Sequence, residues 1–329
     1  MTDRDYMRHA LDLACQGRGL TSPGAMAGAV IVKDSKIIGE GFYTYDGVHH
    51  AEVLALRQAG TDSRGATAYV SLEPCSHFGR TPPCSDALIE AGVSRVMIAT
   101  EDLNPDVNGK GIERLRAAGI EVQVGEMETE ARQLNEAHTT YKARQRPFGI
   151  LKIAMTLDGK IATSSGESQW LTSAEARRQG HELRHACDAI VTGSGTVLKD
   201  NPLLTDRTGL PRRRELLRVV IDRRGRVHNR PDLFSFSLGL DALVSELFQR
   251  QIQSFVLECG PDLAFNALQA GIIDKIVAFI APTVLGGREI PAVGGAGASR
   301  LTDAIGLNFT SVAKAGHDLV ITSYVHRNR

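Results

Sequence analysis

HHAEVLALRQAGTDSRGATAYVSLEPCSHFGRTPPC, residues 49–84, decides how the rest of the chain is read. His50-Ala51-Glu52 stands at the start of a helical run, a β-type segment follows at Ala66–Ser71, and Pro74-Cys75 precedes Cys84 by a loop. One imidazole and two thiolates are three soft or borderline ligands, a set that suits Zn²⁺ with its fourth position open. A water in that position becomes a nucleophile near neutral pH. Glu52, two residues from His50, can point at that water without ligating the metal. H-x-E alone would be a weak signal, and two lone cysteines are most often small buried residues. Taken together, with a helix from Ser85 to Ala91 after the second Cys, they point to a catalytic zinc site. A structural site would need a fourth protein ligand. His49 and His77 are the nearby candidates, and neither has the expected spacing.

The same order of parts is the layout of zinc base deaminases, in which a non-ligand Glu moves protons between water and the leaving amine. Their common form is P-C-x-x-C, whereas here S-H-F-G-R-T-P-P separates the cysteines. Cys75 and Cys84 therefore sit at the two ends of a loop beside the metal. That loop carries His77, Arg80 and Thr81, polar groups suited to a phosphorylated substrate. With H-A-E and P-C-x-H-x-G-R-T-P-P-C nearly letter for letter, the chain resembles the riboflavin-biosynthesis deaminase family. The resemblance implies a cytidine-deaminase-like fold and a zinc-dependent pyrimidine deaminase.

At 329 residues the chain is long enough for two domains. Lys+Arg and Asp+Glu are equal at 38. That balance weighs against a tight nucleic-acid binder, whose affinity comes largely from phosphate neutralisation. No apolar stretch reads as a signal core or membrane span, and five sparse cysteines form no disulfide framework. These readings fit a cytoplasmic enzyme acting on a small molecule.

Outward from the motif, the periodicities predict a helix near Asp5–Gln16, then a hairpin, AGAVIVKD with KIIGEGFY. Further on come a strand Arg95–Ala99, a helix Ile112–Ala118 and a strand Ile120–Val124. Strands alternating with helices predict a three-layer α/β domain. A polar helical connector, Glu126–Arg144, leads to a boundary at Pro147, giving domains 1–145 and 146–329. The loop D-L-N-P-D-V-N-G-K-G, residues 102–111, resembles a family segment near the deaminase pocket; a plain Gly/Asn turn reads it equally well. One departure stands out. The family's usual Pro-Asn-Pro helps hold the pyrimidine through its Asn, and Gly24 occupies that position here.

In the second half, Ile150–Met155 reads as a buried strand, Ser173 as the N-cap of a helix Ala174–His185, and Ala189–Thr192 as a strand. Gly193-Ser194-Gly195-Thr196 reads as a Gly-rich turn suited to close approach of phosphate, and Asp200-Asn201-Pro202 as a turn. The passage LKIAMTLDGKIA…GESQWLTS…TGSGTVLKDNPLLTDR resembles the reductase domain fused behind the deaminase in bifunctional members. That resemblance implies a dihydrofolate-reductase-like α/β domain using NADPH. It places Ala154, Trp170, Thr196, Asp200 and Gly260 beside the cofactor. It places Lys152, Ser168, Arg184, Leu204, Arg207 and Glu258 around a sugar phosphate. Without it, the arginines read as a solvated face and Trp170 as core. The region 231–243 is shorter than in the family, which carries another strand and a long loop there.

The resemblance thus implies a bifunctional enzyme with Zn²⁺ and NADPH. It deaminates a diaminopyrimidine ribosyl phosphate with Glu52 as base and His50, Cys75 and Cys84 as ligands, then reduces the ribosyl group to ribityl. A homodimer or tetramer is the family expectation. The alternatives are a reductase whose deaminase domain Gly24 has impaired, a polynucleotide-editing deaminase and a zinc-stabilised binding module.

Overall fold

The three central strands of the first half are apolar on both faces, so both faces must be covered. The residues of this half belong to α1 (Asp3–Cys15), β1 (Gly28–Lys33), β2 (Lys36–Phe42), α2 (Ala51–Ala59), β3 (Thr67–Val70), α3 (Cys84–Ala91), β4 (Arg95–Ile98), α4 (Lys110–Ala117), β5 (Glu121–Val124), α5 (Glu128–Leu134) and α6 (Glu136–Arg144) of the computed structural model, which describes residues 1–326. The sheet order is β2-β1-β3-β4-β5. β1 is antiparallel to β2 and β3, and β3, β4 and β5 run parallel. Successive side chains on a strand face opposite ways. Ala29, Ile31, Ala68, Val70, Val96 and Ile98 accordingly pack with Ala55, Leu88 and Leu115 of α2, α3 and α4. Val30, Val32, Tyr69 and Met97, one residue out of phase, pack with Met7, Ala10 and Ala131 of α1 and α5. The three layers follow from that alternation.

Two boundaries differ from the periodicity. Thr2 and Asp5 form a capping box, so α1 starts at Asp3. The expected connector is two helices broken at Asn135, whose buried amide holds both the N–H and the C=O of Met26, each at 2.8 Å. This unit comprises Met1–Gln145 together with Pro211–Arg214.

The second unit starts at Arg146. It contains β6 (Phe148–Thr156), β7 (Lys160–Ala162), α7 (Ala174–Ala186), β8 (Ala189–Gly193), α8 (Ser194–Asp200), β9 (Leu217–Ile221), β10 (Phe234–Phe236), α9 (Leu240–Gln249), β11 (Ser254–Leu257), α10 (Pro261–Gln269), β12 (Lys275–Ala281), β13 (Ile290–Pro291), β14 (Leu307–Ala315) and β15 (Asp318–Val325). Eight strands run in the order β10-β9-β8-β11-β6-β12-β15-β14, and β13 pairs with β7. β10 through β12 are parallel neighbours, and β15 and β14 close the sheet antiparallel. Leu151, Val191, Val219, Phe255 and Leu257 pack with Leu243, Leu247, Ala264 and Ala267 of α9 and α10.

The Gly-rich turn expected after β8 is instead a helix, α8, which runs through Asp200 to Asn201 in the left-handed region. Its glycine spacing permits helix once β8 fixes the entry. The short region 231–243 closes at the sheet edge. β10 pairs only with β9, and the chain passes from Phe236 to α9 in three residues.

Candidate active sites

His50 is the N-cap of α2, with extended backbone, and Cys84 opens α3. Two helix starts and the loop after β3 therefore converge on one point. His50 Nδ1 lies 3.0 Å from Cys84 Sγ and 3.6 Å from Cys75 Sγ, and the two sulfurs are 3.5 Å apart. Tetrahedral zinc, with bonds of about 2.0 Å to nitrogen and 2.3 Å to sulfur, spaces its ligand atoms by roughly 3.5 Å. The three donors fit that ion. The backbone N–H of Cys84 donates to Cys75 Sγ at 3.3 Å, and Ser85 donates both N–H and Oγ–H to the Cys75 carbonyl. The hydrogen bond between the two sulfurs, with the Cys84 thiol keeping its proton, is the main reason the Cys75 thiol is drawn well down against its burial. The pocket favours a thiolate, the form a metal binds. Glu52, in the first turn of α2, is buried and stands outside the ligand triad. Burial pushes its carboxyl above the ordinary range, against the pull of His50.

Glu73 was not singled out by the sequence. Its buried carboxylate accepts four backbone N–H groups, from Asp102, Gly109, Gly111 and Ile112, at 2.9–3.3 Å. It thereby caps α4 and ties the loop of residues 102–111 to the strand end that carries Cys75. Gly111 must be glycine here, because a Cβ would stand 1.9 Å from the Pro74 carbonyl. Glu73→Ala leaves four donors to find water. We expect zinc affinity to fall roughly 10- to 100-fold and unfolding stability by about 3 kcal/mol, read by chelator competition and urea melts. A carboxylate just before Pro-Cys was the signal available in the sequence.

His77 and Arg80 are both exposed on the cysteine loop. Arg80 Nη1 donates to the Tyr45 carbonyl at 2.7 Å, and its guanidinium lies 4.1 Å from the Tyr45 ring centre. Arg213, in the Pro211–Arg214 segment, lies 3.8 Å from the same ring, pairs with Asp46 at 2.9 Å and donates to the Ser22 carbonyl at 2.8 Å. Nothing in sequence spacing links residue 213 to residues 22 and 45. Tyr43 packs edge-on against the His50 ring, centres 5.2 Å apart.

In the second unit all eleven residues expected there line a single cavity of about 990 Å³. Lys152 comes from the middle of β6, Glu258 follows the C-terminal end of β11, and Arg184 lies on α7. The Arg184 guanidinium grips Glu258 with two bonds of 2.6 and 2.9 Å, and Lys152 Nζ stands 3.5 Å away. Burial would raise the Glu258 carboxyl, but Lys152 and Arg184 hold it at about 2. Ala154, Ser168 and Arg207 belong to the same wall. Leu204 is buried with φ of 53°, a left-handed conformation that an L-residue holds only under constraint. Thr196 lies on α8, with Asp200 ending it, and Gly260 is the N-cap of α10. Trp170, read without the family as core, is 70% exposed with the Arg177 guanidinium 4.6 Å over its ring. Sequence reasoning missed Lys199, Arg223, Arg224 and Arg226, which also line the cavity. The run RRGR after β9 was the signal for the three arginines. Arg226 donates to Ser194 Oγ at 2.8 Å. Such a set of cations beside two helix starts fits a phosphate-bearing dinucleotide.

Residues 1–100 match the family model described as cytidine and deoxycytidylate deaminase zinc-binding region, and residues 147–321 match the RibD C-terminal domain. The riboflavin biosynthesis proteins RibD of Aquifex aeolicus and Escherichia coli are each 41% identical to this chain. The alignments cover 97% of both chains in the first case, and 98% of this chain and 99% of the relative in the second. Among solved structures, Acinetobacter baumannii RibD (form 1) aligns with a TM-score of 0.89 at 36% identity over 99% of both chains. The diaminohydroxyphosphoribosylaminopyrimidine deaminase/5-amino-6-(5-phosphoribosylamino)uracil reductase of Thermotoga maritima aligns with a TM-score of 0.88 at 34% identity, over 98% of this chain and 99% of that one. The alignment with the Synechocystis RibD runs over 361 positions while taking in 100% of these 329 residues, so that relative carries residues this chain lacks. A deaminase zinc centre in a cytidine-deaminase-like unit and an NADPH-type reductase pocket in a dihydrofolate-reductase-like unit are joined in one chain. The chain belongs to the RibD family of bifunctional riboflavin-biosynthesis deaminase–reductases.

Proposed function

We propose that residues 1–145 deaminate 2,5-diamino-6-ribosylamino-4(3H)-pyrimidinone 5′-phosphate and that residues 146–329 reduce the product's ribosyl group to ribityl. The observation that carries this reading is the His50/Cys75/Cys84 triad, with buried Glu52 beside it and a separate cation-lined cavity in the same chain. His50, Cys75 and Cys84 would hold zinc, which when bound makes a water nucleophilic near neutral pH. Glu52 takes a proton from the water and returns one to the departing nitrogen, so that a C–N bond breaks, a C–O bond forms and ammonia leaves. His77 and Arg80, exposed on the cysteine loop, hold the phosphate.

In the second unit Ala154, Trp170, Thr196, Asp200 and Gly260 would hold NADPH, which when bound would supply a hydride to the sugar's anomeric carbon. Lys152, Ser168, Arg184, Leu204, Arg207 and Glu258 surround the sugar phosphate. Arg184 and Arg207 are suited to the phosphate because a guanidinium offers paired donors. Glu258, kept ionised by its two cationic neighbours, fixes the directions of Lys152 and Arg184. The enzyme works on a small molecule, and no helix among the described residues is long and apolar enough to cross a membrane. We place it in the cytoplasm as a homodimer or tetramer, checked by light scattering on the purified protein.

Mass spectrometry of the substrate incubated with zinc-loaded protein tests the reading. The amino-to-oxo change is expected without NADPH, and two further hydrogens only with it. Untouched substrate, with supplied deaminated intermediate still reduced, would leave the second unit as the only working half.

A further inference from the structure

The departure at Gly24 leaves a gap in the family's pattern for holding the pyrimidine, and the fold shows what fills it. The Gly24 turn is pinned on both sides. Its N–H donates to the Thr21 carbonyl at 2.6 Å, Arg213 binds the Ser22 carbonyl, and Asn135 binds both backbone groups of Met26. With the backbone so held, a Cβ at residue 24 would lie 2.9 Å from the Thr21 carbonyl oxygen, 2.9 Å from Tyr43 Cε1 and 3.5 Å from Tyr43 Oη. The phenol ring thus occupies the space in which a side chain at residue 24 would begin. The ring is also edge-on to the His50 imidazole, with centres 5.2 Å apart and planes at 84°, so the ring stands against a metal ligand while its hydroxyl lies by residue 24 and the Arg80 guanidinium.

Resting on the deaminase reading above, we propose that Tyr43 is a substrate-positioning residue of the deaminase site, its hydroxyl making the hydrogen bond to the pyrimidine that an asparagine at residue 24 would otherwise supply. A phenol both donates and accepts, as a carboxamide does, so it can meet either kind of atom on a pyrimidine edge. Gly24 and Tyr43 are then one exchange in two parts. The small residue makes room, and the large one brings the polar group from the opposite wall. Tyr43 has a fixed seat for this work, since its own N–H donates to the Ala27 carbonyl at 2.9 Å at the end of β2.

The test uses the full-length, zinc-loaded protein, with ammonia release from the diaminopyrimidine ribosyl phosphate as the assay. Tyr43→Phe keeps the ring and removes only the hydroxyl. It should raise KM for deamination roughly tenfold, the loss of one hydrogen bond, with zinc content and reduction of supplied deaminated intermediate unchanged. Gly24→Asn alone should collide with the ring and lose deamination. Wild-type kinetics in Tyr43→Phe, or a matching loss of zinc or of reduction, would overturn the assignment. Ammonia release by the wild-type chain is the separate check on the deaminase reading. With that release present and Tyr43→Phe unchanged, only the tyrosine's role falls; without it, the reading falls as well.

Discussion

Glu52→Gln is expected to slow deamination roughly a thousandfold, the scale on which a positioned proton carrier acts. The change preserves volume and leaves an amide that cannot take a proton. Glu52 sits in the first turn of α2, two residues after the His50 N-cap, and is 6% exposed. Packing should therefore survive the substitution. Zinc content should stay at the wild-type level, because the three ligand atoms come from His50, Cys75 and Cys84 alone. Reduction of supplied deaminated intermediate should also be unchanged, since that pocket draws on residues of the second unit. Ammonia release, zinc analysis and NADPH oxidation on one preparation read all three. Deamination near the wild-type rate would remove Glu52 from the chemistry.

Glu258→Gln should damage the second unit in two ways. Arg184 and Lys152 would keep their charges with no carboxylate between them, and breaking a buried pair on one side costs about 3–5 kcal/mol. Reduction should fall roughly 100-fold, because both cations then lose their fixed directions toward the sugar phosphate. The pH dependence separates the pair from simple packing. In the folded protein the Glu258 carboxyl is held at about 2, below the ordinary 4.5. A lowered carboxylate stabilises the fold fully above its unfolded pKa, and that contribution fades as pH falls from 4.5 through about 2. Its size is about 3 kcal/mol. Urea melts of wild type between pH 7 and pH 3 should show about 2 kcal/mol of this loss, and Glu258→Gln should lose correspondingly less over the same range. Parallel curves for the two proteins would mean that Glu258 is not held ionised by its neighbours.

The departure at Gly24 put deamination in question on the sequence. Membership of the family over nearly the full chain does not favour an impaired first half or a polynucleotide-editing enzyme. In the fold the same glycine makes room for Tyr43. The missing side chain could be read directly; its replacement from the end of β2 could not.

Much of both units was legible because their decisive residues obey local rules. His50-Ala51-Glu52, Pro74-Cys75 and Cys84 stand at helix starts and a strand end, where short spacing fixes which groups converge. Strands alternating with helices predicted a sheet covered on both faces, and Ala29/Ile31 and Val30/Val32 do pack on its two sides. Helix ends were less legible. A capping box moved α1 to Asp3, and the glycines of Gly193–Thr196 proved to be the entry to α8 because β8 sets the direction from which that helix begins.

Composition, periodicity and motif spacing by themselves determined alternating α/β organisation and a three-donor metal site, while the family resemblance supplied the residues expected around the second unit's cavity. Only the tertiary structure decided that Glu73 anchors the loop after β4, that Arg213 reaches Tyr45 across some 170 residues of chain, and that Tyr43 stands in the space beside Gly24. Those contacts join residues far apart in the chain, and no local period encodes them. They exist only because the packed sheets and helices bring distant backbone segments within hydrogen-bonding distance, where buried donors and acceptors must find partners.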